Sequence, residues 1–93
     1  MASAQKTPLF TMYPNPLKSG SSLHLTLTSA CSEHVHITLN DVLGKECYAE
    51  SPEKIDAGSY PIETSKLQLA PGSYFLRVQS GSMIETRKFE IVQ

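Results

Sequence analysis

The sequence predicts an all-β domain built as an antiparallel β-sandwich. Apolar and polar residues alternate over several short segments, which is the pattern of a strand with one buried face. Turn-forming Gly, Pro, Asn and Asp residues separate seven such segments at intervals of roughly 8–12 residues. No segment keeps a 3.6-residue apolar period over about eleven residues, so no α-helix is predicted. A small β-barrel is the alternative fold.

The bulk composition indicates one small domain without a nucleic-acid surface. The chain has 93 residues, of which 40% are hydrophobic and 18% charged, and its formal net charge is -1. Eight basic residues are scattered among nine acidic ones, whereas a nucleic-acid surface needs clustered basic residues. No stretch reaches the roughly 18 apolar residues of a membrane helix. Residues 1–6 lack the apolar core of a secretory signal.

The first half of the chain predicts a lead-in, three strands and two turns. Residues 1–12 are expected to be a lead-in or linker remnant that includes the start of a first strand at 9–13. Prolines end this strand, since they cannot donate ladder hydrogen bonds. The next strands are predicted at 23–27 and 35–39, joined by a hairpin loop at 29–33. A turn at 40–45 follows, with Asp41 bonding nearby backbone and Gly44 accepting a positive φ.

The second half predicts four more strands. One lies at 45–49, with Cys47 facing inward and Tyr48 outward, and one at 59–64, where Pro61 indicates a sheet edge. The last two form a terminal hairpin of 74–78 and 83–92, which leaves the final strand edge and the final carboxylate accessible. The apolar phase of the last strand is broken, which predicts a bulge among 85–88 or a projecting tip.

The cysteines and histidines have conventional structural explanations. Cys31 and Cys47 could form one disulfide, but two reduced thiols are the favoured prediction. His24, predicted to lie across from His34 and His36, could contribute to a zinc site, but solvent-facing positions are favoured. No Cys–His or carboxylate pair resembles a catalytic site, so the protein is not expected to be an enzyme, and no metal or cofactor is expected.

Four motifs occur in order along the chain: Tyr13-Pro14-Asn15-Pro16, the segment 39–45, the segment 67–78, and the closing segment 88–92. This order and spacing resembles the C-terminal sorting domain of type IX secretion cargo in Bacteroidetes, over residues 13–93. The resemblance implies a seven-stranded immunoglobulin-like sandwich at the end of a larger exported protein.

The resemblance also implies partners and a route. The domain would pass through the periplasm, engage a shuttle protein and the outer-membrane translocon, and end at the cell surface or secreted. A sortase-like peptidase often removes it, which here would mean a cut before Tyr13. No small-molecule substrate is implied.

Recognition is expected in the last two motifs, at Gly72, Tyr74, Phe75, Arg77, Arg87, Lys88, Phe89, Ile91, Val92 and Gln93. Structural roles are expected for Tyr13, Pro14, Asn15, Pro16, Asp41, Gly44, Gly58 and Pro71.

Three alternatives stay open. The exposed edge could support a dimer. Tyr48 and Phe75 could form a platform in a carbohydrate- or protein-binding accessory module. An uncleaved domain could act as a signalling ligand.

Overall fold

The computed structural model describes residues 10–28 and 34–93. Within these ranges the chain forms eight strands, one 3-10 turn at Thr64–Lys66 and no α-helix. The strands are β1 (Phe10–Tyr13), β2 (Leu17–Lys18), β3 (Leu23–Leu27), β4 (His36–Asp41), β5 (Glu46–Glu50), β6 (Gly58–Ile62), β7 (Gly72–Ser80) and β8 (Met83–Val92).

The strands form two sheets, of order β1-β3-β6 and β2-β8-β7-β4-β5. The all-β prediction is confirmed. Pairing is antiparallel except between β2 and β8, which run parallel. The seven predicted strands all have counterparts, and the two-residue β2 is an addition. Pro61 lies on β6, which is an edge strand as predicted.

The two sheets share one hydrophobic core. Alternate residues of β3 face it from the three-stranded sheet, and alternate residues of β4, β7 and β8 face it from the other. Its fully buried side chains are Phe10, Leu17, Leu23, Leu25, Val35, Ile37, Leu39, Ile62, Leu76, Val78 and Phe89. Burial of such side chains stabilises the fold by about 1.5–3 kcal/mol each. The core includes Phe10, so the packed domain begins before Tyr13.

The predicted hairpin between the second and third strands is wrong. β3 lies in the three-stranded sheet and β4 in the five-stranded sheet, so the connection crosses between sheets. Residues 29–33 of this connection lie outside the described residues. Alternation defines which face of a strand is buried, but two strands that face one core from opposite sides show the same pattern.

A bulge changes the predicted orientation of Tyr48. Leu39 pairs with Tyr48 but Asn40 pairs with Glu46, which leaves Cys47 as the extra residue. Both Cys47 and Tyr48 therefore pack against the core, and the outward orientation predicted for Tyr48 is wrong. Within the described residues, Cys47 is a free thiol. Cys31 lies outside the described residues, so its pairing stays untested.

The predicted bulge in the last strand is also wrong. β7 and β8 keep one register from Gly72 opposite Ile91 to Ser80 opposite Met83. The apolar phase is broken because Met83 and Ile84, at the tip of the hairpin, are 56% and 53% exposed. The tip therefore lies outside the core, which agrees with the second alternative for this segment.

Candidate functional site: the terminal hairpin

The hairpin of β7 and β8 has a buried face and an outer face. Tyr74, Leu76 and Val78 point into the core, whereas Phe75 and Arg77 point away from it. Across the pair, Phe75 lies opposite Lys88. Side chains on one face of a strand pair interact most with their direct cross-strand neighbours. The outer face therefore presents an aromatic ring beside two cationic groups.

The end of β8 is covered by a segment from the other end of the domain. We call residues 15–19 the clasp. The Asn15 Oδ1 accepts a 3.2 Å hydrogen bond from the Glu90 N–H, and the Ser19 N–H donates to the Val92 carbonyl at 2.6 Å. The predicted open edge is therefore closed over its last residues. The open part of the edge is displaced toward the hairpin tip.

Ion pairs organise the charged residues of β8. The Arg87 Nε and Nη2 donate to Glu85 Oε2 at 2.9 and 2.7 Å, and the guanidinium lies 5.9 Å from the centre of the Phe10 ring. The Lys88 Nζ lies 3.7 Å from Glu90 Oε2. Since these groups are partly exposed, such pairs contribute little stability and mainly fix side-chain positions.

The predicted recognition residues divide by burial. Exposed residues are Gly72, Arg77, Lys88, Val92 and Gln93, while Phe75 and Arg87 are half-buried. Tyr74, Phe89 and Ile91 belong to the core, with exposures of 7%, 1% and 4%. In the folded domain these three are packed inside, so their recognition role stays a prediction and their visible role is to hold the hairpin.

Tyr74 anchors the start of the hairpin. Its ring stacks on Phe89, with 5.9 Å between ring centres, and its hydroxyl donates to the Ala70 carbonyl at 2.6 Å. Burial raises the pKa of the Tyr74 hydroxyl above its usual value. Pro71 and Gly72 follow the carbonyl that accepts this bond. The turn and the core are therefore joined by one tyrosine.

The Tyr-Pro-Asn-Pro segment leads from β1 to the clasp. The Tyr13 ring stacks on His24 with 5.1 Å between ring centres, and the Tyr13–Pro14 and Asn15–Pro16 peptide bonds are cis. β1 belongs to the three-stranded sheet and β2 to the five-stranded sheet. This segment therefore carries the chain from one sheet to the other.

The turn between β4 and β5 is built on Asp41. Its Oδ1 accepts hydrogen bonds of 2.9 Å from the N–H groups of both Leu43 and Lys45. Gly44 has a φ of 86°, which explains the glycine in this turn. Gly58 begins β6 with a φ of 109°. The turn predicted at 40–45 therefore has the expected Asp41 hydrogen bonds to nearby backbone and the expected positive φ at Gly44.

The histidines do not converge. His24 lies on β3 and His36 on β4, in different sheets, so the predicted placement of His24 across from His36 is wrong. The His36 Nδ1 lies 2.6 Å from the Ser51 hydroxyl oxygen. Among residues 10–28 and 34–93, no group of three metal-binding side chains comes together.

A polar cluster that the sequence pattern did not predict joins an edge strand of each sheet, β5 and β6. The Glu50 carboxylate on β5 accepts hydrogen bonds from the hydroxyls of Tyr48 and of Tyr60, which lies on β6. Burial, reinforced by the bond to Glu50, raises the pKa of Tyr48 to about 12. The same causes raise the pKa of Tyr60 even more. The Tyr-x-Glu spacing on one strand was the available signal.

A cleft on the described part of the surface has no Tyr, Phe or Trp in its lining, so it provides no aromatic sugar platform. The lining residues of this cleft are His34, Val35, His36, Ser51, Pro52, Glu53 and Gln79. Tyr48 is turned toward the core and bonded to Glu50, so it cannot pair with Phe75 on the outer face.

Comparison with known families identifies the chain. The family model described as "Secretion system C-terminal sorting domain" matches residues 11–93. The chain belongs to this family. Domains of this family are C-terminal sorting signals of the type IX secretion system, so this domain serves export to the cell surface or secretion. The family match includes both the clasp and the terminal hairpin.

A solved structure supports the fold. The chain is similar to PorZ, described as an essential bacterial surface component of the type-IX secretion system of human oral-microbiomic Porphyromonas gingivalis. The TM-score is 0.67 at 15% sequence identity, with 90% of this chain and 11% of PorZ covered. The chain thus spans a small part of that protein. No curated protein sequence matches the chain. In the described residues, no helix is long and apolar enough to cross a membrane.

Proposed function

We propose that this domain carries a larger cargo protein through the type IX outer-membrane translocon and is read, while folded, through its terminal hairpin. The family match over 11–93 is the observation that carries this proposal. The domain itself is proposed to be non-enzymatic. The two sheets around one core, with an exposed final hairpin, suit an immunoglobulin-like sandwich.

The outer face of the hairpin is the part best suited to direct recognition. Arg77 and Lys88 are exposed on it, and the half-buried Phe75 lies opposite Lys88. Cationic groups beside an aromatic ring favour a partner surface with acidic and apolar groups. Tyr74 and Phe89 lie directly behind this face and hold its register.

The route and the partners follow from the family. We propose transit through the periplasm, contact with a shuttle protein and the translocon, and processing by a sortase-like peptidase in cargo that is cleaved. Because Phe10 is fully buried in the core, a cut that leaves the folded domain intact would fall upstream of Phe10. Separately from this route, we propose that two copies of the domain associate through the open edge of β8.

Fusion of the domain to a reporter protein tests whether the domain is sufficient to direct export. A periplasmic reporter fused to this domain should reach the surface of a type IX-competent bacterium, and removal of residues 88–93 should retain it in the periplasm. The deletion also removes Phe89 and Ile91 from the core, so a folded surface variant must accompany it. Surface delivery of the truncated fusion at the level of the intact one would refute the proposal.

A further inference from the structure

The open part of β8 differs from the other sheet edges among the described strands. β6 carries Pro61, β5 contains the bulge at Cys47, and β1 is only four residues long and is followed by Pro14. These are the devices by which proteins prevent edge-to-edge pairing. β8 runs ten residues in regular register, and β2 covers only Ile91 and Val92.

The clasp shows which backbone groups point outward. The Glu90 N–H and the Val92 carbonyl both bond to the clasp, on the side away from β7. Backbone groups of alternate residues point to the same side of a strand. Ile84, Thr86 and Lys88 therefore present their N–H and C=O groups along the open edge.

We propose that a second copy of this chain pairs with this edge, β8 against β8 in antiparallel orientation, about a two-fold axis at Thr86. In this register Ile84 lies opposite Lys88, and Glu85 of each copy lies opposite Arg87 of the other. Opposite charges directly across a strand pair are stabilising, and like charges are destabilising. The contact between Glu85 and Arg87 of the other copy occurs twice because the interface is symmetric.

The neighbouring registers are less favourable. An axis at Glu85 would place the two Glu85 carboxylates opposite each other, and an axis at Arg87 would do the same with the guanidinium groups. An axis at Lys88 requires the N–H of Glu90, which Asn15 already occupies. With an axis at Ile84, the paired segment would extend beyond the start of β8 into the turn at Gly81. The pairing of opposite charges and the length of open strand therefore favour a two-fold axis at Thr86 over the neighbouring positions.

The interface is small, so the dimer is expected to be weak and concentration-dependent. A few residues per copy bury much less than the roughly 1,600 Å² of a standard interface. This pairing would cover the exposed Met83 and Ile84 at the hairpin tip. The inference is independent of the sorting function, since it rests on the edge geometry and the charges alone.

Charge reversal tests the register by sedimentation velocity from micromolar to millimolar concentration. Glu85→Arg and Arg87→Glu should each raise the dimer dissociation constant at least about fivefold, because each opposes like charges twice. The double variant E85R/R87E should restore the wild-type value. A chain that stays monomeric up to millimolar concentration, or a double variant no better than the single ones, would overturn the proposal.

A disulfide at the axis gives a second, independent readout. In a background with Cys31→Ser and Cys47→Ala, Thr86→Cys should form a covalent dimer on mild oxidation, because directly paired residues lie within disulfide range. Thr11→Cys, an exposed position on β1, is the matched control and should crosslink much more slowly. Equal crosslinking at both positions, with folding verified by circular dichroism, would contradict the proposed axis.

Discussion

The side chain of Asn15 holds the backbone of Glu90, 75 positions later in the chain, through a 3.2 Å hydrogen bond. The bond joins the first sequence motif of the domain to the last. With the contact of Ser19 to Val92, it fixes the end of β8 from the side that β7 does not cover. The Pro-Asn-Pro motif thus has a physical reason: it ends β1 and delivers an acceptor to the final strand.

Removal of this acceptor should destabilise the domain modestly. Asn15→Ala leaves the Glu90 N–H to water and is expected to lower the free energy of unfolding by about 1 kcal/mol. Urea denaturation measures the change. Asn15→Asp keeps an acceptor oxygen and should retain most of the stability. If the aspartate variant loses as much as the alanine variant, the hydrogen bond is not the cause.

The Asp41 turn should be sensitive to loss of its carboxylate. Asp41→Ala removes the acceptor of two backbone N–H groups and should cost about 1–2 kcal/mol of unfolding free energy. Asp56→Ala changes an exposed carboxylate of the same charge and serves as the control in the same denaturation series. Equal losses in both variants would argue against a special role for Asp41.

The tyrosine cluster should make the fold sensitive to high pH. The folded-state pKa of Tyr48 is about 12, above the usual value of 10, and the pKa of Tyr60 is also raised. The folded state therefore holds protons that the unfolded chain releases. The contribution is complete below pH 10 and should be lost as pH rises from 10 toward 12.

Denaturation at a series of pH values measures this loss. A Tyr48→Phe/Tyr60→Phe variant should show a shallower fall in stability above pH 10, since it lacks the ionising groups. Tyr13→Phe, at a residue that is 48% exposed, is the matched control. An unchanged slope in the double variant would show that other groups govern alkaline unfolding.

Substitution of an apolar residue by alanine should destabilise the domain much more in the core than at the tip of the turn between β4 and β5. Leu76→Ala opens a cavity at a fully buried position and should cost about 2–5 kcal/mol. Leu43→Ala makes the same chemical change at a residue that is 89% exposed and should leave stability nearly unchanged. Thermal or urea unfolding compares the two variants. A large loss of unfolding free energy for Leu43→Ala would mean that the Leu43 side chain is packed against other residues and not exposed.

Local pattern predicted much of this structure because each strand carries its own period-two signal. The alternation at Tyr74, Leu76 and Val78 placed the buried face of β7 correctly, and Pro61 marked an edge. The pattern could not show that β3 and β4 belong to different sheets, since both face one core. It also missed β2, because Leu17 and Lys18 are too few to alternate.

The sequence predicted where the candidate site lies, but not which of its side chains are buried and which face outward. The motifs located the terminal hairpin, yet they did not separate Tyr74, Phe89 and Ile91, which pack inside, from Arg77 and Lys88, which face outward. The broken apolar phase came from exposure at the tip and not from a bulge. The clasp depends on a contact between residues 75 positions apart, which local pattern does not encode.

We propose that the export machinery reads the outer face of the folded hairpin. The most direct measurement is the surface fraction of a reporter fused to this domain, with Arg77→Glu/Lys88→Glu compared with Lys54→Glu/Lys66→Glu. All four lysines and arginines are exposed, and the two variants change net charge equally. With both variants shown to be folded, the hairpin variant should accumulate in the periplasm while the control reaches the surface normally. Equal surface delivery of the two variants would mean that the outer face of the hairpin is not what the machinery reads.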